Sequence, residues 1–153
     1  MDINPKIIRQ IESYCAYQDR SRKEVEIKLI QLGALPNQKL SVLIRLELQG
    51  FLDDERFAKS FVRGKFKQKK WGLNKIKNQL KLKGIDSKLI QLAIQEIEND
   101  DYNNTINILA EKKRLNLKDE NLFKRKEKVA KYLLSKGYES NIVFELVKNL
   151  KLN

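Results

Sequence analysis

Ser21–Gly33 reads SRKEVEIKLIQLG, Gly72–Gly84 reads GLNKIKNQLKLKG, and Arg125–Gly137 reads RKEKVAKYLLSKG. The three align without a gap, at offsets of 51 and 53 residues. In each, a β-branched residue stands fifth (Val25, Ile76, Val129), Leu stands ninth (Leu29, Leu80, Leu133) and Gly closes the stretch. Positions four apart stack on one helix face, and a terminal Gly suits the left-handed conformation that ends a helix.

Working outward, each copy is followed by a turn and a second amphipathic stretch: Gln38–Leu48, Ser87–Ile97 and Ser140–Leu150. Leu89, Ile90, Ala93, Ile94 and Ile97 answer one for one to Ile142, Val143, Leu146, Val147 and Leu150. Each copy is also preceded by a helical pattern, over Pro5–Tyr17, Asp53–Lys70 and Asp101–Leu115. Ser21 with Glu24 makes a capping box, Asp53 and Asp86 are N-caps, and Pro5 and Pro36 stand where a helix start needs no N–H. No alternating run of β-branched or aromatic residues marks a strand. The expected fold is all-α: three tandem three-helix repeats, at 1–50, 51–99 and 100–153. Units of this size bury little surface alone, so neighbours should lean on one another in an elongated, curved array.

Charge is the second signal. Residues 56–84 hold eleven Lys or Arg and no Asp or Glu, within a chain of net charge +12. The cations are threaded through Phe57, Ala58, Phe61, Val62, Leu73, Ile76 and Leu80 at helical spacing, so the segment folds rather than trailing as a basic tail. On a helical wheel Arg56, Lys59, Arg63, Lys67 and Lys70 fall within an arc of about 80°, a stripe roughly 20 Å long. Phe66 falls at its edge, and Lys65 on the apolar face. Lys69 adjoins the stripe, and Lys75, Lys77, Lys81 and Lys83 widen it. Lys124, Arg125, Lys126, Lys128 and Lys131 repeat a weaker version in the third unit. A solvated face would interleave both signs, whereas like charges kept together favour a polyanionic partner. Trp71, between the two basic helices, is either a hydrophobic lid or a platform for a nucleic-acid base; Phe66 carries the same ambiguity.

Several classes find no support. Histidine is absent, which removes Ser-His-Asp and Cys-His nucleophiles and the commonest zinc sets. Asp53, Asp54 and Glu55 suit helix-dipole partners better than a metal site. Cys15, the one cysteine, falls in register with Ile7, Ile8 and Ile11 and suits packing more than thiol chemistry. No apolar run approaches a membrane span, and Asp2, Arg9 and Glu12 interrupt the N-terminus, so a cytosolic, non-enzymatic protein without cofactor or metal is expected.

The run Gly50-Phe51-Leu52-Asp53-Asp54-Glu55-Arg56-Phe57-Ala58, then Trp71-Gly72 with Ile76, Leu80, Gly84 and Ile85, resembles the RecX regulatory proteins of bacterial recombination. Arg20-Ser21-Arg22-Lys23-Glu24-Val25 with Leu29 and Gly33 is similar to the first repeat of that family. The resemblance implies tandem three-helix repeats that lie in the groove of a RecA filament on single-stranded DNA. It further implies restraint of strand exchange, ATP hydrolysis and co-protease activity, by a protein expected here to be a monomer. Two other classes stay open: a helix-turn-helix-like protein binding DNA or RNA directly, and a basic scaffold on structured RNA.

Overall fold

The computed structural model describes residues 2–118 and 121–151. Among them are nine helices and no strand: α1 Pro5–Tyr17, α2 Arg22–Gln31, α3 Pro36–Leu48, α4 Asp54–Lys69, α5 Leu73–Leu82, α6 Ser87–Ile94, α7 Asn99–Asn116, α8 Leu122–Ser135 and α9 Ser140–Lys148. The fold is all-α, with a three-helix pattern repeated three times.

The aligned positions explain the repetition. Val25, Leu29, Ile76, Leu80, Val129 and Leu133 are each 0% exposed, so the same two turns of α2, α5 and α8 form the centre of each copy. Gly33, Gly84 and Gly137 close those helices at φ of 96°, 78° and 102°, where a side chain would be strained. The Ser21–Glu24 capping box is formed, Pro5 and Pro36 stand in first turns, and the carboxylates of Asp53 and Asp86 accept from the amides of Arg56 (3.0 Å) and Lys88 (2.9 Å).

Boundaries differ from the sequence expectation in several places. α3 starts at Pro36 rather than Gln38, where the Gln38 side chain accepts from the Leu35 amide at 2.9 Å. α8 starts at Leu122, ahead of the aligned stretch that opens at Arg125, and there the Asn121 side chain accepts from the Lys124 amide. α6 stops at Ile94 rather than Ile97, in a turn where the Ile97 amide bonds the Ile94 carbonyl at 3.2 Å. α7 runs Asn99–Asn116 rather than Asp101–Leu115, and α9 ends at Lys148 rather than Leu150.

By contacts the chain divides into two compact units, 1–61 with 80–93, and 62–79 with 94–153. In the first, α1, α2 and α3 pack through Ile8, Ile11, Cys15, Val25, Leu29, Val42, Leu43 and Leu46. Cys15 is a buried member of that core, and burial raises its thiol pKa, which agrees with packing rather than reactivity. In the second, α8 packs on both α7 and α9, with Ile106, Ala110, Val129, Leu133, Tyr138 and Val143 all buried.

Candidate polyanion interface

The nine cations expected to meet a polyanion, together with Trp71, fall in both units. Arg63, Lys67, Lys69, Lys70, Trp71, Lys75 and Lys77 belong to the second, and Arg56, Lys59 and Lys81 to the first. Lys70 is not on α4: it adopts φ 57° and ends the helix at Lys69, while its Nζ donates back to the Lys67 carbonyl at 2.9 Å.

Folding brings carboxylates to part of the acid-free segment. Arg56 Nε donates to Asp19 Oδ1 at 2.9 Å, and its terminal nitrogens to the carbonyls of Gly50 and Phe51. Lys59 pairs with Glu55 at 3.4 Å, Arg63 with Glu96, and Lys83 with Glu24 at 3.3 Å. These four cations are therefore part of the fold's own electrostatics, and the uninterrupted stripe expected from Arg56 to Lys70 is divided. Lys67, Lys69 and Lys81 are exposed, and Lys77 is half-buried. None of those four has a carboxylate within ion-pair distance among the described residues. They are the cations most available to an external anion.

Trp71 is half-buried, with Lys65 Nζ at 5.1 Å and Lys75 Nζ at 4.7 Å from its ring centroid. Two ammonium groups over one indole are each stabilised by about 0.5–1 kcal/mol, and the ring fixes where their charge is presented. Phe66 is not at the edge of a stripe. It is 7% exposed and stacks on Tyr102 at 6.0 Å between centroids.

The α4–α5 turn that carries this charge is held by the closing Gly137 of the third copy and by Lys136, Tyr138, Tyr102 and Glu139, to which no charge or spacing pattern points. Lys136 Nζ donates to the Lys69 carbonyl at 2.6 Å and the Tyr138 hydroxyl to the Lys70 carbonyl at 2.7 Å. In return the amides of Gly72 and Asn74 donate to the carbonyls of Lys136 (2.8 Å) and Gly137 (2.9 Å). The Leu73 amide donates to the Tyr102 hydroxyl at 2.9 Å, and that hydroxyl donates to Glu139 Oε1. Backbones approach so closely that a Cβ on Gly72 would lie 2.4 Å from the Gly137 carbonyl carbon. One signal was present in the sequence: Gly stands first in the second copy where the others have Ser21 and Arg125.

Burial and the neighbouring Glu139 carboxylate hold the Tyr102 phenol far above its ordinary range, and burial does the same for Tyr138. Both hydroxyls therefore keep their protons, which the donation to Glu139 and to the Lys70 carbonyl requires. The Lys136 ammonium is pushed down by burial and by Lys75 and Lys69. The acids at the start of α4 are also spent on structure. Asp53 caps its own helix, while Asp54 Oδ1 accepts from the Arg22 amide at 2.8 Å and so caps α2. What the arrangement can do is present cations and one aromatic ring on a firmly held turn, a task of binding. Among the described residues no helix is long and apolar enough to cross a membrane.

Comparison with known proteins agrees with this architecture. Residues 53–94 match the RecX second three-helix domain, and residues 100–147 match the third. The chain is 29% identical over 150 residues to the regulatory protein RecX of Prosthecochloris aestuarii, covering 97% of this chain and 95% of that one. It is 31% identical over 131 residues to the RecX of Clostridium botulinum strain Eklund 17B, covering 84% of this chain and 61% of the relative. Against the Enterococcus faecalis RecX it covers 49% of that protein, so the chain spans about half to two thirds of these longer relatives. The crystal structure of RecX from Lactobacillus salivarius superposes with a TM-score of 0.85 at 27% identity, covering 97% of both chains. Sequence match, repeat architecture and superposition lead to one conclusion: the chain belongs to the RecX family.

Proposed function

We propose that this chain is a regulatory protein that binds the RecA filament on single-stranded DNA and modulates it, mainly by inhibiting recombinase, ATPase and co-protease activity. Support comes from the family and from one observation: Lys67, Lys69, Lys77 and Lys81 lack carboxylate partners among the described residues. Such charges gain most from a polyanion, because neutralising a phosphate releases condensed counterions. The repeats at 1–50, 51–99 and 100–153 would supply several linked contacts. Linked weak contacts gain by effective concentration, so a clamp on neighbouring filament protomers needs no chemistry of its own. Arg63 and Arg56 contribute less than their place in the sequence suggests, because each is engaged by a carboxylate.

The test is RecA-dependent ATP hydrolysis on single-stranded DNA, titrated with this protein and with a Lys67→Glu, Lys69→Glu, Lys81→Glu variant. Inhibition at amounts well below the nucleotide concentration, lost in the variant, is the expected result. No effect on hydrolysis, together with salt-sensitive binding to bare DNA or RNA, would replace this reading with direct nucleic-acid binding.

A further inference from the structure

On the first unit, with no lining residue from 56–84, a recess of about 490 Å3 is bounded by α1, the α1–α2 loop and α2. Its lining includes Lys6, Arg9, Tyr14, Tyr17, Arg20 and Lys28 and contains no acidic residue. The α1 members follow from the helix period. Lys6, Gln10, Ser13, Tyr14 and Tyr17 recur at helical spacing on the side of α1 away from the buried Ile8, Ile11 and Cys15.

The arrangement is organised around two tyrosines. Arg20 Nε donates to the Tyr14 carbonyl at 3.0 Å, which lays its guanidinium over the Tyr14 ring at 3.8 Å. Lys28 Nζ stands 5.4 Å from the same ring, and the Arg20 guanidinium 5.9 Å from the Tyr17 ring. Tyr17 ends α1 and is 83% exposed, a large aromatic surface left in water beside a cation. Glu24, whose charge acts on Tyr14, is already engaged by the Ser21 amide and Lys83, and Asp19 in the bounding loop is engaged by Arg56. Lys6, Arg9, Arg20 and Lys28 have no carboxylate partner among the described residues. From Lys6 to Tyr17 the helix rises about 16 Å, enough for more than one phosphate.

We propose that this recess is a second binding site, for single-stranded nucleic acid, in which a base stacks on Tyr17 beside Arg20 and the backbone phosphates lie against Lys6, Arg9 and Lys28. A single strand fits better than an acidic peptide, because a peptide carboxylate uses the cations and leaves the Tyr17 face unused. A base uses both. A duplex would hide its base faces from the ring. The site stands independently of the filament reading, since it shares no residue with the segment that carries that reading.

The experiment uses the full chain with Lys67→Glu, Lys69→Glu and Lys81→Glu, so that those cations do not mask the recess, and contains no RecA. Adding Tyr17→Ala should weaken binding of a fluorescein-labelled oligothymidylate of about twelve nucleotides roughly 5- to 150-fold, read by anisotropy. Tyr17→Phe should keep the affinity within about two-fold, because the ring rather than the hydroxyl does the stacking. An abasic strand of the same length should bind as weakly as the thymidylate binds Tyr17→Ala, and lose nothing more in that variant. Arg9→Gln with Lys28→Gln should flatten the slope of log affinity against log salt by about 1.4. Unchanged binding in Tyr17→Ala overturns the site. So do an abasic strand or polyglutamate that bind as tightly as thymidylate, which would mark a general anion surface. Tyr17 is exposed, so a far-ultraviolet circular dichroism spectrum should confirm that its variants fold.

Discussion

The amides of Arg22 and Leu73 hold the same place in their helices, and each is capped by a side chain from the first turn of the helix that opens the following repeat. For Arg22 the acceptor is Asp54 of α4, at 2.8 Å; for Leu73 it is Tyr102 of α7, at 2.9 Å. The closing glycines follow suit: a Cβ on Gly84 would approach the Lys23 side chain at 3.1 Å, and one on Gly137 the Lys75 side chain at 2.3 Å. One geometry is thus built twice with different chemistry. The first junction is ionic, ringed by Arg22–Glu47 and Lys83–Glu24 pairs. The second is tighter, made of backbone against backbone with Tyr102, Tyr138 and Phe66 in an aromatic row, and its charged groups, Lys136 and Glu139, bond a carbonyl and a phenol rather than each other. A repeat can keep its docking pose while exchanging ion pairs for close packing, and the basic turn hangs from the close-packed version.

The comparison breaks first at Gly72. Gly72→Ala must push two backbones apart and should destabilise by about 2–3 kcal/mol. The equivalent change in the first junction, Ser21→Ala, removes only a cap, worth about 1 kcal/mol. Melting temperatures should fall by about 2–4 °C per kcal/mol in a chain of this size, and equal losses would show the two junctions to be energetically alike.

Next in size is Tyr102→Phe, which strands the Leu73 amide and the Glu139 carboxylate at a cost of about 1–3 kcal/mol. Its pH signature sharpens the contrast. Asp54 is held above its ordinary value of 3.8, chiefly by burial. A carboxyl raised on folding keeps its proton longer in the native state, so its contribution declines as pH climbs from about 4 through the folded pKa. Asp54→Asn should therefore gain on the wild type over that window in urea unfolding. Tyr102 and Tyr138, raised above 10.0, lose their contribution only above that pH, where unfolded tyrosine ionises first. Tyr102→Phe should flatten this alkaline decline. Lys136, lowered from 10.5, acts in the opposite sense, gaining stability as pH rises toward that value.

The smallest effect belongs to the ionic ring. Lys83→Ala should cost about 0.2–1 kcal/mol in dilute buffer and almost nothing in molar salt, measured by urea unfolding at both salt levels. A salt-independent loss would mean that the lysine stem packing on Phe61, with Nζ at 5.9 Å from the ring, matters more than its charge.

Local rules made most of the fold legible. α1 has its expected limits, the capping box and N-caps are formed, and the fifth and ninth positions of each copy are buried. Those features need only residues a few positions apart. The electrostatics of residues 56–84 were half legible, because their acids come from outside: Asp19, Glu96 and Glu24 lie 37, 33 and 59 residues from their cations. Phe66 looked marginal on a wheel that could not include Tyr102. The Tyr14–Tyr17–Arg20 cluster had a local signal, one acid-free face at helical spacing along α1 with Glu12 off it, but its modest charge was overshadowed by the denser run further along.

Tyr102 also has a consequence in time. Leu73 and its cap are 29 residues apart, so the middle helix emerges from a ribosome before the hydroxyl that completes it. At roughly 5–20 residues per second, α5 waits about 1.5 to 6 seconds with its leading amide answered by water alone. During that interval the charged turn has no support from Lys136 or Tyr138 either. A nascent chain therefore acquires its most cationic surface in finished form only after the third repeat has been made.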